Sequence, residues 1–161
     1  MSTIETMDDP YEAMMNTRER LVLSFELSRE RHRFILVCDY PFKAPGARCA
    51  FVGFVYEDVR DFVREEGNLP ALQEFRDGFH LRSVTGGLVV ESIKATSMAD
   101  GRRLDLWFGY NFGGLQFTYG SVKAYRRNAL ARQVDGEWLC RDLDSEEEYD
   151  FYEPFPGLMN K

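Results

Sequence analysis

Alternating apolar and polar residues in the middle of the chain predict antiparallel β-hairpins. The clearest case surrounds an Asp-Gly pair at residues 100–101, a dipeptide that adopts the positive φ angles of a two-residue hairpin turn. Pairing outward from this turn places Ala95 opposite Leu106 and Ile93 opposite Phe108. One face of the hairpin is then apolar and the other mostly polar, which is typical of an antiparallel sheet with one buried face.

Two further hairpins follow from the same alternation. An Asp-Gly pair at residues 135–136 joins two strand-like runs. A turn around residues 29–30 places Phe25 opposite Phe34, and a four-residue loop with the same register is an equal alternative. The second face of this earlier hairpin is also partly apolar, which predicts cover by another element; it carries Val22, Ile35 and Val37.

The two hairpin regions are similar in sequence, and the similarity has two interpretations. Residues 34–42 (FILVCDYPF) align with residues 104–112 (LDLWFGYNF), and residues 49–61 align with residues 115–127. One interpretation is a duplicated unit of three strands, which would give a sheet or sandwich with approximate two-fold symmetry. The other is that two antiparallel meanders share this pattern without common descent.

The N-terminal region predicts a short helix and no targeting segment. Asp9 followed by Pro10, with Glu12 three residues after Asp9, is an N-cap pattern that starts a helix ending near Arg18. The first ten residues contain no basic segment leading into an apolar run, so we expect no signal peptide. No run approaches the roughly 20 apolar residues that span a bilayer. We therefore expect a cytoplasmic protein without membrane contact.

Residues 59–78 predict a helical insert between the two β regions, because apolar residues recur at helical spacing before Gly67 and a second helical segment begins at Asn68. At 161 residues the chain fits one domain. We predict an α+β fold, mainly antiparallel β, in which meander hairpins form a curled sheet or sandwich of roughly seven or eight strands. Its parts are an N-terminal helix (1–18), a first β unit (19–58), the helical insert (59–78), a second β unit (79–141) and an acidic-aromatic tail (142–161).

The tail carries nearly all of the net charge. Residues 142–161 contain seven acidic residues and one lysine, a net charge of −6, whereas the whole chain has a net charge of −7. Residues 1–141 are therefore close to neutral, with 20 acidic and 19 basic residues. Aromatic rings alternate with the tail's carboxylates, and this combination favours a partner with a basic, partly apolar surface.

Groups that could support catalysis or metal binding are sparse. His32 and His80 are the two histidines, and neither lies in a metal-binding spacing. Cys38, Cys49 and Cys140 are scattered in apolar runs, which is typical of reduced core thiols. The chain has no Gly-x-Ser-x-Gly motif and no phosphate-binding loop. We therefore predict no metal and no cofactor, and the pattern favours a protein that is not an enzyme.

A basic cluster precedes the last hairpin. Lys123, Arg126 and Arg127 lie near Tyr119 and Tyr125, whose rings could stack on nucleic acid bases. The net charge of −7 opposes this interpretation, because neutralisation of phosphates dominates such affinity. The favoured interpretation is a solvated strand face, and we expect no nucleic acid partner.

The tail is the candidate partner-binding site. In one interpretation its carboxylates steer a basic protein and its rings anchor that protein after contact. In the other, the rings dock on the protein's own sheet and the carboxylates are merely solvated. The residues concerned are Glu146, Glu147, Glu148, Tyr149, Asp150, Phe151, Tyr152 and Glu153.

The leading functional hypothesis is a non-enzymatic inhibitor that neutralises a basic protein partner. In size, charge and mix of elements the chain resembles the immunity proteins of bacterial toxin systems, and no motif contributes to this resemblance. One alternative is a curled sheet that binds a small apolar or aromatic ligand between its aromatic strands. Another is a subunit of a homo-oligomeric assembly whose tail docks on a neighbouring subunit.

Overall fold

Antiparallel β-structure dominates the computed structural model, which describes residues 4–41, 48–68, 78–81 and 88–158. These ranges contain one helix and twelve strands. The strands are β1 (Glu5–Thr6), β2 (Val22–Ser28), β3 (Arg33–Tyr40), β4 (Arg48–Glu57), β5 (Arg60–Glu66), β6 (Gly78–His80), β7 (Ser92–Met98), β8 (Gly101–Trp107), β9 (Gly113–Tyr119), β10 (Ser121–Val134), β11 (Glu137–Asp142) and β12 (Glu148–Asp150), and the helix is α1 (Pro10–Met15).

The strands form two sheets. The large sheet has the order β12-β11-β10-β4-β3-β2-β6, with β1 also paired to β10, and the small sheet has the order β5-β9-β8-β7. Residues 88–90 lead into β7 and bond to the start of β2, where Val22 N–H donates to the Leu88 carbonyl at 2.7 Å. The prediction of a mainly antiparallel β fold is confirmed. The α+β class is not confirmed, since α1 has six residues and is the single helix of the described ranges.

Each of the two meanders passes its next strand to the opposite sheet. β2, β3 and β4 are consecutive neighbours in the large sheet, and the following strand, β5, pairs with β9 in the small sheet. β7, β8 and β9 are consecutive neighbours in the small sheet, and the following strand, β10, pairs with β4 in the large sheet. Either a duplication or two independent meanders fits this exchange, so the duplication stays a prediction.

Both Asp-Gly pairs lie at hairpins, but only one of them is the turn. The pair at residues 135–136 joins β10 to β11 as predicted, with φ of 52° and 82°. In the β7–β8 hairpin Met98 pairs with Gly101, so the two loop residues are Ala99 and Asp100 and the predicted register is wrong by two residues. A Cβ atom on Gly101 would lie 2.7 Å from the Tyr119 carbonyl oxygen, so a close approach of strands needs this glycine. The shift is even, and the buried face is still the predicted one.

The β2–β3 hairpin has a four-residue loop, and its predicted register is also wrong by two residues. Phe25 pairs with Leu36 rather than with Phe34. An irregularity between Val22 and Ser24 moves Leu23 to the opposite face of the sheet. The alternation of apolar and polar residues along a sequence does not reveal such a bulge. One extra residue in the strand moves all preceding side chains to the opposite face of the sheet.

The predicted helix at residues 59–66 is wrong, because residues 60–66 form β5. The pairing with β9 is irregular between Arg60 and Val63, and Asp61 has a φ of 54°. This irregularity allows Val59 and Phe62, three residues apart, to contact the same core. Apolar residues three positions apart are also typical of a helix, and this explains the wrong prediction. The second predicted helical segment lies outside the described residues, apart from Asn68 at its start.

The predicted N-cap of α1 is confirmed. The Asp9 carboxylate accepts hydrogen bonds from the backbone N–H groups of Tyr11 and Glu12, both at 3.1 Å, and Pro10 is the first helical residue. The helix ends at Met15, before the predicted Arg18.

Apolar side chains pack on both faces of the large sheet. The inner core lies between the two sheets and is strongly aromatic, with the rings of Phe34 and Phe117 4.9 Å apart and those of Tyr56 and Phe117 5.2 Å apart. The outer core lies on the opposite face of the large sheet and confirms the predicted cover of Ile35 and Val37. Val22, predicted on the same face, lies in the inner core instead, because the irregularity in β2 reverses its direction. Its buried members are Leu23, Ile35, Val37, Phe51, Val55, Ala129, Cys140, Phe155 and Leu158.

Candidate functional site

The C-terminal segment, residues 142–158, covers the outer core. Phe155 and Leu158 are buried against the large sheet, where β4 has a glycine, Gly53. A Cβ atom at this position would lie 2.7 Å from Leu158 Cδ2 and 3.1 Å from Phe155 Cδ2. The absence of a side chain at Gly53 therefore allows the segment to approach the sheet closely.

Arg127 of β10 fixes this segment at several points. Its side chain is 3% exposed, and its Nε donates a hydrogen bond of 2.8 Å to Oδ2 of Asp142, whose side chain is 0% exposed. Nη1 donates to the Pro154 carbonyl at 2.9 Å, and Nη2 lies 3.4 Å from Glu147 Oε2. The guanidinium also lies over the Tyr149 ring, 3.8 Å from its centroid. One buried cation thus holds residues that span most of the segment.

The predicted solvated face at Arg127 is therefore wrong. The alternation of β10 directs Arg127 to the outer core, and the Asp142 carboxylate supplies the counter-charge that makes its burial tolerable. Tyr119, proposed to stack on bases, is fully buried in the inner core.

Except for Asp150, the carboxylates of the predicted site face solvent or pair with basic side chains of the same chain. Glu146 is exposed, Glu147 approaches Arg127, and Glu148 contacts Arg132. Asp150 is half-buried, and its Oδ1 accepts a hydrogen bond from Tyr152 N–H at 3.0 Å. Near the end of the segment, Glu153 Oε1 lies 2.8 Å from Nε2 of His80 on β6.

The rings of the predicted site face the protein. Phe151 contacts Phe51 edge-to-face at a centroid distance of 5.3 Å, and Tyr149 contacts the same ring at 6.3 Å. Tyr152 lies beside His80. All three rings of the predicted site are half-buried, so the segment docks on its own sheet while most of its carboxylates stay accessible.

A second acidic segment, which sequence reasoning missed, lies along the same side of β10. Glu5 of β1 pairs with Arg126, and Leu143 N–H donates to the Asn128 carbonyl at 3.2 Å. Sequence reasoning missed this segment because the net charge of residues 1–141 as a whole is close to zero. Residues 5–12 nevertheless contain four acidic residues and no basic one. We define the acidic edge by the exposed carboxylates along this side: Glu5, Asp8, Asp9, Glu12, Asp144, Glu146, Glu147 and Glu148.

The cysteines differ in surroundings. Burial raises the pKa of the Cys38 thiol far above its ordinary value. Cys49 is half-buried, and a hydrogen bond from the neighbouring Cys140 thiol lowers the pKa of Cys49. The same contact, together with burial, raises the pKa of Cys140. Cys49 is therefore the thiol of this set that most readily forms a thiolate.

We expect iodoacetamide to label Cys49 before Cys38 and Cys140 at neutral pH, because the thiolate is the reacting form. Cys140→Ala removes the hydrogen-bond donor, raises the pKa of Cys49 and should slow its labelling by about two- to tenfold. Peptide mass spectrometry over a time course measures the rates. Cys38→Ala is the matched control and should leave the Cys49 rate unchanged; equal labelling of all three thiols would contradict the expectation.

Within the described ranges, no group of three or more His, Cys, Asp or Glu residues could hold a metal ion. No helix in the same ranges has the length and apolar character needed to cross a membrane.

The fold and the surface together define a two-sheet antiparallel β protein with an acidic edge. Comparison with protein-family models, curated proteins and solved structures finds no match to this chain.

Proposed function

We propose that this protein is a non-enzymatic binding protein that neutralises a basic protein partner through the acidic edge. The observation that supports this most is the convergence of two acidic segments, far apart in sequence, on one side of β10. Of the eight exposed carboxylates of this edge, Glu147 and Glu148 approach arginines of β10, and we expect the other six to make the local potential negative. Such a potential accelerates encounter with a basic surface and selects against acidic partners.

The docking of the C-terminal segment supports the same proposal. A disordered acidic tail would lose conformational entropy when it binds, and that loss weakens affinity. Here Arg127 and the outer core already hold the segment, so its carboxylates stand in fixed positions before a partner arrives. An inhibitor that resembles immunity proteins needs a preorganised binding surface and no catalytic group.

The small-ligand alternative has less support. The aromatic strands that suggested an enclosed ligand place their rings against one another, as in the stacking of Phe62 on Phe117 at 5.8 Å. Ordinary core packing accounts for those residues. We therefore retain the binding of a basic protein as the proposed function.

Charge reversal on the acidic edge tests the proposal. The triple variant Glu5→Lys, Asp8→Lys, Glu146→Lys changes exposed residues, and we expect it to slow association with a basic partner about tenfold or more. The partner is first isolated with tagged full-length protein and identified by mass spectrometry. Its association rate is then measured by surface plasmon resonance at low and high salt, because salt should weaken the wild-type interaction.

The matched control is Glu19→Lys, Glu26→Lys, Glu30→Lys, which makes the same change in net charge at exposed residues before β2, within β2 and in the loop after it. We expect this control to bind nearly as fast as the wild type. Equal losses in both triple variants would show that net charge matters and the acidic edge does not. Failure of the wild type to retain any basic protein would overturn the proposed function.

A further inference from the structure

β7 is an edge strand of the small sheet with little protection against pairing. It has seven residues and pairs regularly with β8, from Ser92 opposite Trp107 to Met98 opposite Gly101. No strand in the described part of the chain pairs with its other side. Alternate residues of β7 therefore direct their backbone N–H and C=O groups outward, where they can bond to another strand.

The other edge strands are protected in the usual ways. β5, at the opposite edge of the small sheet, has five charged residues among seven and an irregular register with β9. β12 and β6 have three residues each, and two of the three in β12 are acidic. By contrast, β7 has one charged residue, Lys94, and neither a proline nor an irregularity. Charges, bulges and shortness normally prevent edge pairing, and β7 has only the single lysine.

We propose that β7 pairs antiparallel with β7 of a second copy of this chain, across a two-fold axis at Ala95. This register pairs all seven residues of each strand, because Ser92 then lies opposite Met98 and Lys94 opposite Thr96. No like charges face each other between the two strands, since Lys94 is the single charge of the strand. The contact is isologous, so the same pairing satisfies the free edges of both copies at once.

The remaining edges explain why a second copy is the occupant. Pairing at β7 joins two four-stranded small sheets into one continuous sheet that ends on β5 at both sides. The charges and the irregular register of β5 oppose further addition, so the assembly closes at two copies rather than growing into a fibre. A foreign strand would leave this self-complementary edge of the second copy unpaired.

Substitutions at Thr96 test both the contact and its register. Thr96 is exposed on β7 and lies opposite Lys94 of the second copy in the proposed pairing. Thr96→Lys creates two like-charged pairs across the axis, and Thr96→Glu creates two opposite-charged pairs. Because two cross-strand pairs change at once, we expect the dimer dissociation constant to rise by up to about thirtyfold in the first variant and to fall by a similar factor in the second.

Sedimentation equilibrium over a wide range of protein concentrations measures the dissociation constant against the protomer mass of 18.7 kDa. Hydrogen exchange shows whether the amides of β7 become protected as the dimer forms. Val63→Lys, an exposed change on β5 of the same sheet, is the control and should leave the constant unchanged. Thermal unfolding at low concentration verifies that the Thr96 variants fold.

A concentration-dependent dimer with opposite responses to Thr96→Lys and Thr96→Glu supports the proposal. A wild type that stays monomeric throughout overturns it, and so does a dimer that neither substitution at Thr96 affects. Protection of β7 only after another protein is added also overturns it and assigns the edge to a foreign strand. None of these outcomes depends on the acidic edge, so the proposed function is tested separately.

Discussion

Arg127→Leu is expected to lower the free energy of unfolding by about 3–5 kcal/mol and to release the C-terminal segment. Removal of the guanidinium takes away the ion pair of 2.8 Å with the Asp142 carboxylate, whose side chain is 0% exposed. The Pro154 carbonyl also loses its hydrogen bond, and the Tyr149 ring loses its cation contact. Urea denaturation measures the loss, and limited proteolysis followed by mass spectrometry shows whether residues 142–158 become accessible.

Two comparison variants separate the buried pair from general effects of losing an arginine. Arg132→Leu removes an ion pair between two exposed side chains, Arg132 (58% exposed) and Glu148 (52% exposed). It should lower the free energy of unfolding by less than about 1 kcal/mol. Arg127→Leu combined with Asp142→Asn should be less destabilised than Arg127→Leu alone, because the amide removes the buried charge while its oxygen still accepts the hydrogen bonds from the backbone N–H groups of Asp144 and Ser145. Equal unfolding free energies for Arg127→Leu and the wild type would refute this account of how the segment is held.

Gly53→Ala is expected to displace the C-terminal segment while β4 stays in its sheet. The added Cβ atom would meet Leu158 Cδ2 at 2.7 Å and Phe155 Cδ2 at 3.1 Å, and overpacking of this kind costs about 1–3 kcal/mol. Hydrogen exchange should therefore increase in residues 151–158 and remain low in β3 and β4. Urea denaturation gives the size of the loss.

A double-mutant cycle tests the cause of this effect. Leu158→Ala removes the Cδ2 atom that lies closest to the new methyl group, so Gly53→Ala should cost less in the Leu158→Ala background than in the wild type. Gly78→Ala is the matched control, since its Cβ would lie 3.6 Å from the nearest atom, an ordinary contact. The same cost for Gly53→Ala in both backgrounds would mean that the segment does not need the space at Gly53.

Much of the fold is readable from local patterns in the sequence. Alternation and turn residues identify the hairpins, and Asp9 with Pro10 identifies the start of α1, because these signals depend on neighbouring residues only. Bulges are not local in this sense. The irregularities near Leu23 and Asp61 change which side chains face the core, and each depends on the partner strand. That dependence explains the reversed face in β2 and the helix predicted in place of β5.

The candidate site was predictable in composition and not in geometry. The acidic residues and rings of residues 142–153 are evident in the sequence. The role of Arg127 is not, because a buried arginine and an exposed one look alike until the counter-charge on Asp142 is placed beside it. The contribution of Glu5 and Asp8 to the acidic edge likewise depends on the pairing of β1 with β10, across most of the chain.

Folding of this chain depends on strand pairs between residues far apart in sequence. Arg60 of β5 pairs with Thr118 of β9, and Glu5 of β1 pairs with Arg126 of β10. The entropy of closing such long loops must be overcome before the pairs stabilise the protein, so chains of high contact order fold slowly. During synthesis β5 emerges well before β9, the strand with which it pairs. One side of β4 likewise stays unpaired until β10 has emerged. Because each meander supplies a strand to the other sheet, we expect the two sheets to form together, after β10 has been synthesised, in one cooperative step.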